Sequence, residues 1–270
     1  MIGQFGNIIL GIVSGILTVP VIALFVWVSQ YCRSYPVRRF WKPFLGKKIT
    51  IVVTEYKVEG EKDDIYAKTS KIATDGYLIS KGNALTISNL TDFLANHIVK
   101  RAFVTVCGDK SATQSNDYLI VSGAPAINNF SQRIFSNLED RFHIPYSISH
   151  SQQTGEISFQ SKDGTKTFRP EVENGQGVDY AIVIRAQYKS FPDSYVILLV
   201  GAHMYGAQAA SSAITNRAII SHLAKMTKKA GNILFLLKTN VINNSPGEPE
   251  LEFGRVTYIH VLESRHVKSS

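Results

Sequence analysis

The chain has 270 residues, 44% hydrophobic and 19% charged, which excludes a largely disordered polypeptide and suits one large domain or two small ones. Its net charge of +8 is concentrated: no Asp or Glu precedes Glu55, while Arg33, Arg38, Arg39, Lys42, Lys47 and Lys48 crowd one short stretch. Without those six the balance falls to about +2, so the basic character marks a membrane flank, and no nucleic acid polymer is expected as a partner.

Residues Ile8 to Val28 read IILGIVSGILTVPVIALFVWV and carry no charge. At roughly 1.5 Å per residue such a helix crosses the ~30 Å hydrocarbon core of a bilayer. Trp27 and Tyr31 then stand at the interface, ahead of the basic cluster. A signal peptide would place basic residues before the apolar run and small residues at a cleavage site after it, so a retained anchor is expected. The positive-inside rule orients it as a single pass in the cell (inner) membrane, N-terminus outside and the remainder cytoplasmic. Gly11 and Gly15, flanked by Ser14 and Thr18, form a close-packing stripe that predicts a homo-oligomer, and Pro20 predicts a kink. The organisation expected is a transmembrane anchor over 1–31, a basic juxtamembrane linker over 32–48 and one soluble domain over 49–270. Cys32 and Cys107 make no disulfide framework, which fits a reducing compartment.

The soluble part opens with a β-branched strand, Ile49 to Tyr56, and a polar loop to Asp75. A helix is expected from about Ser88, with Leu90, Phe93, Leu94 and Ile98 on one face. A strand follows at Arg101 to Cys107, another at Asp117 to Val121, and a helix at Phe130 to Phe142. Ile144 to Gln176 reads as a polar hairpin. Asp179 to Tyr188 and Tyr195 to Val200 are strands, the second leading into a small-residue helix at Ala207 to Thr215. A helix at Arg217 to Lys229 and strands at Ile233 to Val241 and Arg255 to Glu263 complete the pattern. Apolar strands alternating with helices predict an α/β fold, a mostly parallel sheet with helices on both faces, preceded by one transmembrane helix.

Two strand ends carry glycine-containing turns into helices: Ser122, Gly123, Ala124 and Pro125 with Asn128, and Gly201 to Gly206 with His203 and Tyr205. Ligands of open α/β sheets bind beyond the carboxyl ends of strands, and helix N-termini offer N–H groups to phosphate. Arg185, which interrupts an apolar strand, meets either a phosphate or a carboxylate such as Asp179. Asn128 reads a ligand or caps its helix. Gln208 and Ser211 lie one and two turns into the second helix. No nucleophile elbow, zinc-ligand spacing or paired CxxC is present, so neither a catalytic residue nor a metal or other cofactor is assigned.

The pairing of DYLIVSGAP…N (Asp117 to Asn128) with DYAIVIR…VILLVGAHMYGAQAA (Asp179 to Ala210) resembles Rossmann-like sensor domains of the SLOG and CARF families, departing from them at Ala124 and Ala207. Such domains, fused to membrane helices, are similar to effectors of CBASS and type III CRISPR immunity. The resemblance implies a nucleotide ligand and an effector that senses a nucleotide-derived second messenger and perturbs the membrane in antiphage defence. The alternatives are a membrane-tethered enzyme acting on a nucleotide or NAD, and a scaffold binding a partner protein.

Overall fold

A computed structural model describes residues 21–29, 34–57, 77–98, 104–108, 118–188 (without 152 and 154), 194–226 and 231–258. Residues 1–20 of the expected anchor, Gly11, Gly15 and Pro20 among them, lie outside these residues, as do its last two, 30 and 31. Residues 21–29 form a helix (α1) whose large apolar side chains face outward, from Val28 at 43% to Phe25 at 74% exposure. Among the described residues no helix is long and apolar enough to cross a membrane.

The core is a nine-stranded sheet ordered β13-β12-β10-β11-β5-β1-β4, with β14 beside β12 and β9 beside β10. Here β1 is Ile49–Val53, β4 Val104–Gly108, β5 Tyr118–Ser122 and β9 Glu171–Glu173; β10 is Gln176–Gln187, β11 Tyr195–Gly201, β12 Ile233–Ile242, β13 Ser245–Pro246 and β14 Glu250–Tyr258. Strands β11, β5, β1 and β4 are parallel neighbours, but β10 runs antiparallel to both β11 and β12, and β14 antiparallel to β12. The sheet is therefore mixed, where a mostly parallel one was expected. The reason is the short connection between β10 and β11: a parallel crossover needs roughly a dozen residues or more, and the gap permits only a hairpin turn. The final pair, β12 and β14, is likewise a product of a connection without a crossover helix.

Apolar residues alternate between the two faces of the central strands, which gives two cores. One face (Ile51, Val53, Ile120, Val183, Leu199 and Phe235) is covered by residues 34–40 (α2), α3 (Lys81–Phe93), α5 (Met204–Thr215) and α6 (Arg217–Met226). The other face (Val52, Val121, Leu198, Val200 and Leu236) is covered by α4 (Asn129–Glu139) and a small sheet of β6 (Tyr146–His150), β7 (Ile157–Ser161) and β8 (Thr167–Phe168). A two-stranded ladder, β2 (Glu55–Lys57) with β3 (Tyr77–Ile79), leads into α3.

Residues expected as a linker belong to this core. Val37, Phe40, Trp41 and Phe44 are all buried, the last closing a 3-10 turn, Lys42–Phe44. Phe44 meets the rings of Tyr118 and Tyr195, which open β5 and β11, so α2 lies at the amino-terminal edge of the parallel strands. Helix α3 begins at Lys81, well before the expected Ser88, and continues into a π-helical turn, Leu94–Ile98. Its early buried positions are Gly82, Asn83 and Thr86, which give no apolar periodicity to read.

Candidate ligand-binding edge

Three helices start at the carboxyl edge of the parallel strands: α3 after β1, α4 after β5 and α5 after β11. Helices α4 and α5 leave neighbouring strands for opposite faces of the sheet, the arrangement that opens a crevice in α/β folds. The two glycine loops accordingly meet. The Gly123 amide donates to Leu199 O at 3.0 Å, and Leu199 is two residues before Gly201.

Each helix start is nonetheless capped by the chain itself. The Ser80 hydroxyl accepts from Asn83 N at 3.1 Å, and Asn128 Oδ1 accepts from Ser131 N at 2.7 Å. At α5 the acceptor is Asp179, which arrives from β10 because that strand begins where its neighbours end. Its carboxylate takes hydrogen bonds from Gly206 N (2.5 Å), Tyr180 N (2.7 Å) and His203 N (3.2 Å). A carboxylate here meets the positive end of the helix dipole. Burial pushes the Asp179 carboxyl up, while the amides of Gly206 and Tyr180 and the nearby His203 pull against that rise. The seat at α5 expected for a phosphate is thus held by an internal carboxyl group.

Asn128 also belongs to a buried polar cluster. Its Nδ2 donates to Thr54 Oγ1 at 3.0 Å, Asn83 Nδ2 donates to Thr54 O at 3.2 Å, and Ser122 Oγ donates to Asn83 Oδ1 at 3.2 Å. Ser131 Oγ closes the loop on Gly123 O at 2.7 Å. Gly123 has φ +140°, and a Cβ there would collide with Thr54 Oγ1. At Gly206 a Cβ would run into Tyr180 O, so this glycine lets α5 approach the sheet. Both glycines serve packing within the loops.

The other expected site residues divide sharply. Ala124 and Pro125 are buried in the turn, and Gly201 packs under the first turn of α5. Tyr205 is buried, and its hydroxyl donates to Asn244 Oδ1 at 3.1 Å. Gln208 is buried in α5, where its backbone oxygen accepts from Ser211 Oγ at 2.8 Å. His203 alone of the polar loop side chains is exposed; it makes no capping bond, and its ring lies 5.4 Å from that of Tyr205. Ala126 and Ile127 are exposed on the facing loop.

Arg185 is elsewhere. Six residues along β10 from Asp179, it lies roughly 20 Å away at the opposite edge, so the two do not pair. It is buried under α2, donating to Phe40 O and lying 4.8 Å from the Phe40 ring centroid. Burial lowers its pKa to about 10. Beside it, Trp41 Nε1 donates to Ile214 O at 3.1 Å, near the end of α5. Sequence reasoning missed Thr54 and Asn83, and it took Asp179 only as an ion-pair partner.

Among the described residues no group of three His, Cys, Asp or Glu side chains is placed to hold a metal ion. No protein-family model matches the chain, and no curated protein matches it.

Proposed function

We propose that this chain is a membrane-anchored effector whose α/β domain senses a nucleotide-derived second messenger and relays its binding to the membrane helix, in the manner of an antiphage defence protein. The observation that carries this reading is the run of α5. Its first turn, after the cap His203, lies at the carboxyl edge beside the strand end that bonds to the Gly123 loop. Its end bonds to Trp41, in the segment that follows the apolar residues 8–28. One rigid helix of twelve residues, roughly 18 Å long, therefore links the candidate ligand edge to the base of the anchor. A ligand that displaced the start of α5 would move the anchor base with it.

The internal carboxylate at Gly206 refines the chemistry. Ligand contacts fall to groups that face outward: the His203 ring, suited to stacking on a base, and the exposed Ala126 and Ile127. The membrane-facing half of the reading rests on the uncharged residues 8–28 and on the outward apolar side chains of α1.

The test is calorimetric titration of the full chain in lipid nanodiscs with cyclic di- and oligonucleotides. The expected result is saturable binding that weakens about tenfold in His203→Ala, the loss of one base-stacking contact. Absence of binding by every nucleotide, in a chain that still melts cooperatively, overturns the sensor reading. Turnover of NAD or of the added nucleotide would instead make the tethered domain an enzyme.

A further inference from the structure

On the helical face, a hollow of about 200 Å3 opens between α2, the π-helical turn and the start of α6. It is lined by Ser34, Val37, Arg38, Asn96, His97 and Arg217, together with Ala95, and contains no Asp or Glu. The two arginines lie 179 residues apart in the chain, and both are exposed. No carboxylate among the described residues forms an ion pair with either guanidinium. The nearest acid on α3, Asp92, accepts from Asn96 Nδ2 at 2.9 Å and lines the neighbouring hollow. The amides opening α6 are not the attraction, because Asn216 Oδ1 already accepts from Ala218 N and Ile219 N.

Two guanidiniums and an imidazole around a small hollow suit a tetrahedral oxyanion, which a planar five-donor fork grips by two bonds at once. The volume falls below the ~300–1,000 Å3 of sites that enclose drug-sized molecules, so a whole nucleotide does not fit. Location supplies the source. Ser34 is five residues past the end of α1, a stretch that reaches at most about 18 Å. The hollow is therefore tethered close to the headgroup layer wherever the apolar segment is embedded.

We propose that this hollow seats the phosphate of an anionic phospholipid headgroup beside the anchor. The inference rests on the reading of residues 8–28 as a membrane helix. A zwitterionic headgroup would bring its own cation against Arg38 and Arg217, so a net-negative lipid is selected.

The experiment is native mass spectrometry of the full chain in mild detergent, with phosphatidylglycerol, phosphatidylcholine or inorganic phosphate added in separate arms. One phosphatidylglycerol per chain is expected to be retained over phosphatidylcholine. Retention falls about tenfold in Arg38→Gln/Arg217→Gln, through loss of two charge-assisted contacts. Lys47→Gln/Lys48→Gln removes the same charge outside the hollow and leaves retention unchanged. Arg217→Lys keeps the charge but loses the fork, and gives an intermediate value that holds even if the double variant folds poorly. Equal loss in both double variants, equal retention of phosphatidylcholine, or equally tight binding of free phosphate overturns the headgroup site. Carbonate washing of membranes separates the two claims. Release of the chain overturns anchor and site together, whereas a chain that resists washing yet shows no lipid preference overturns the site alone.

Discussion

The two edges of the sheet are built from different materials. At the amino edge, Phe40, Trp41 and Phe44 pack with edge-to-face geometry, 5.6 to 5.7 Å between centroids, and Arg185 lies against Phe40. At the carboxyl edge the buried groups are Thr54, Asn83, Ser122 and Asn128, joined by hydrogen bonds, and Asp179, which accepts from the amides that open α5. Aromatic burial tolerates little loss of volume but carries no directional demand. A polar cluster needs every donor matched, and a single change leaves a group without its partner. Under the proposed function the amino edge is the mechanical joint to the anchor, and the carboxyl edge is the part whose geometry a bound molecule would perturb.

The most severe way to break this contrast is at the joint. A fragment of residues 49–270 lacks four buried side chains and is expected to be insoluble or to melt without cooperativity. Residues 34–270 should unfold in one transition. In that longer fragment Trp41→Ala should cost about 3–5 kcal/mol in urea titration, through the cavity left in the aromatic cluster. A normal melt of 49–270 would show that the joint is not part of the core.

At the other edge Asp179→Asn should cost roughly 2–3 kcal/mol, because one amide hydrogen pair then faces the N–H groups it replaces an acceptor for. The same denaturant titration measures it, and Asn128→Ala should cost about 1–2 kcal/mol through the lost helix cap. His203→Ala, on the exposed rim, should change stability by less than about 0.5 kcal/mol while weakening ligand binding. Arg185→Leu should do the reverse, lowering stability and leaving nucleotide affinity as it was. If the two variants behaved alike, the division of labour between the edges would be lost.

The smallest effect lies outside both edges. Asp163, in the turn between β7 and β8, is held down to about 2 by hydrogen bonds from Ser161 and Thr165. Because its folded pKa lies below the ordinary value, its contribution is present above about pH 4 and is lost as pH falls toward 2. Amide exchange at Thr165 and Lys166 should accelerate over that window, and Asp163→Asn should abolish the pH dependence.

Much of the sheet was legible because its strands are apolar runs bounded by turn residues, and the meeting of the glycine loops followed from strands with a common direction. What failed was direction itself: residues 188–194 are too few for a crossover, and that count outweighs the apolar character of β10 and β11. Helix α3 was read late because its buried start is made of Gly82, Asn83 and Thr86. Helix α2 was hidden by charge. Val37, Phe40, Trp41 and Phe44 follow the i, i+3, i+4, i+7 spacing of a buried face, but Arg38, Arg39 and Lys42 between them suggested a solvated tether. Asp179 could not be assigned to α5 because its partners His203 and Gly206 stand 24 and 27 residues away, a contact set by sheet register rather than by any local motif.

The Trp41 contact also dictates an order of events at the ribosome. Trp41 is among the first residues of the folded domain to be made, yet its partner Ile214 lies 173 residues later, and Phe40 waits 145 residues for Arg185. At about 5–20 residues per second, the aromatic cluster stands open for roughly ten to thirty-five seconds of synthesis. Throughout that interval the nascent chain presents greasy rings soon after the uncharged apolar residues 8–28, and keeping the two apart falls to a chaperone until α5 emerges.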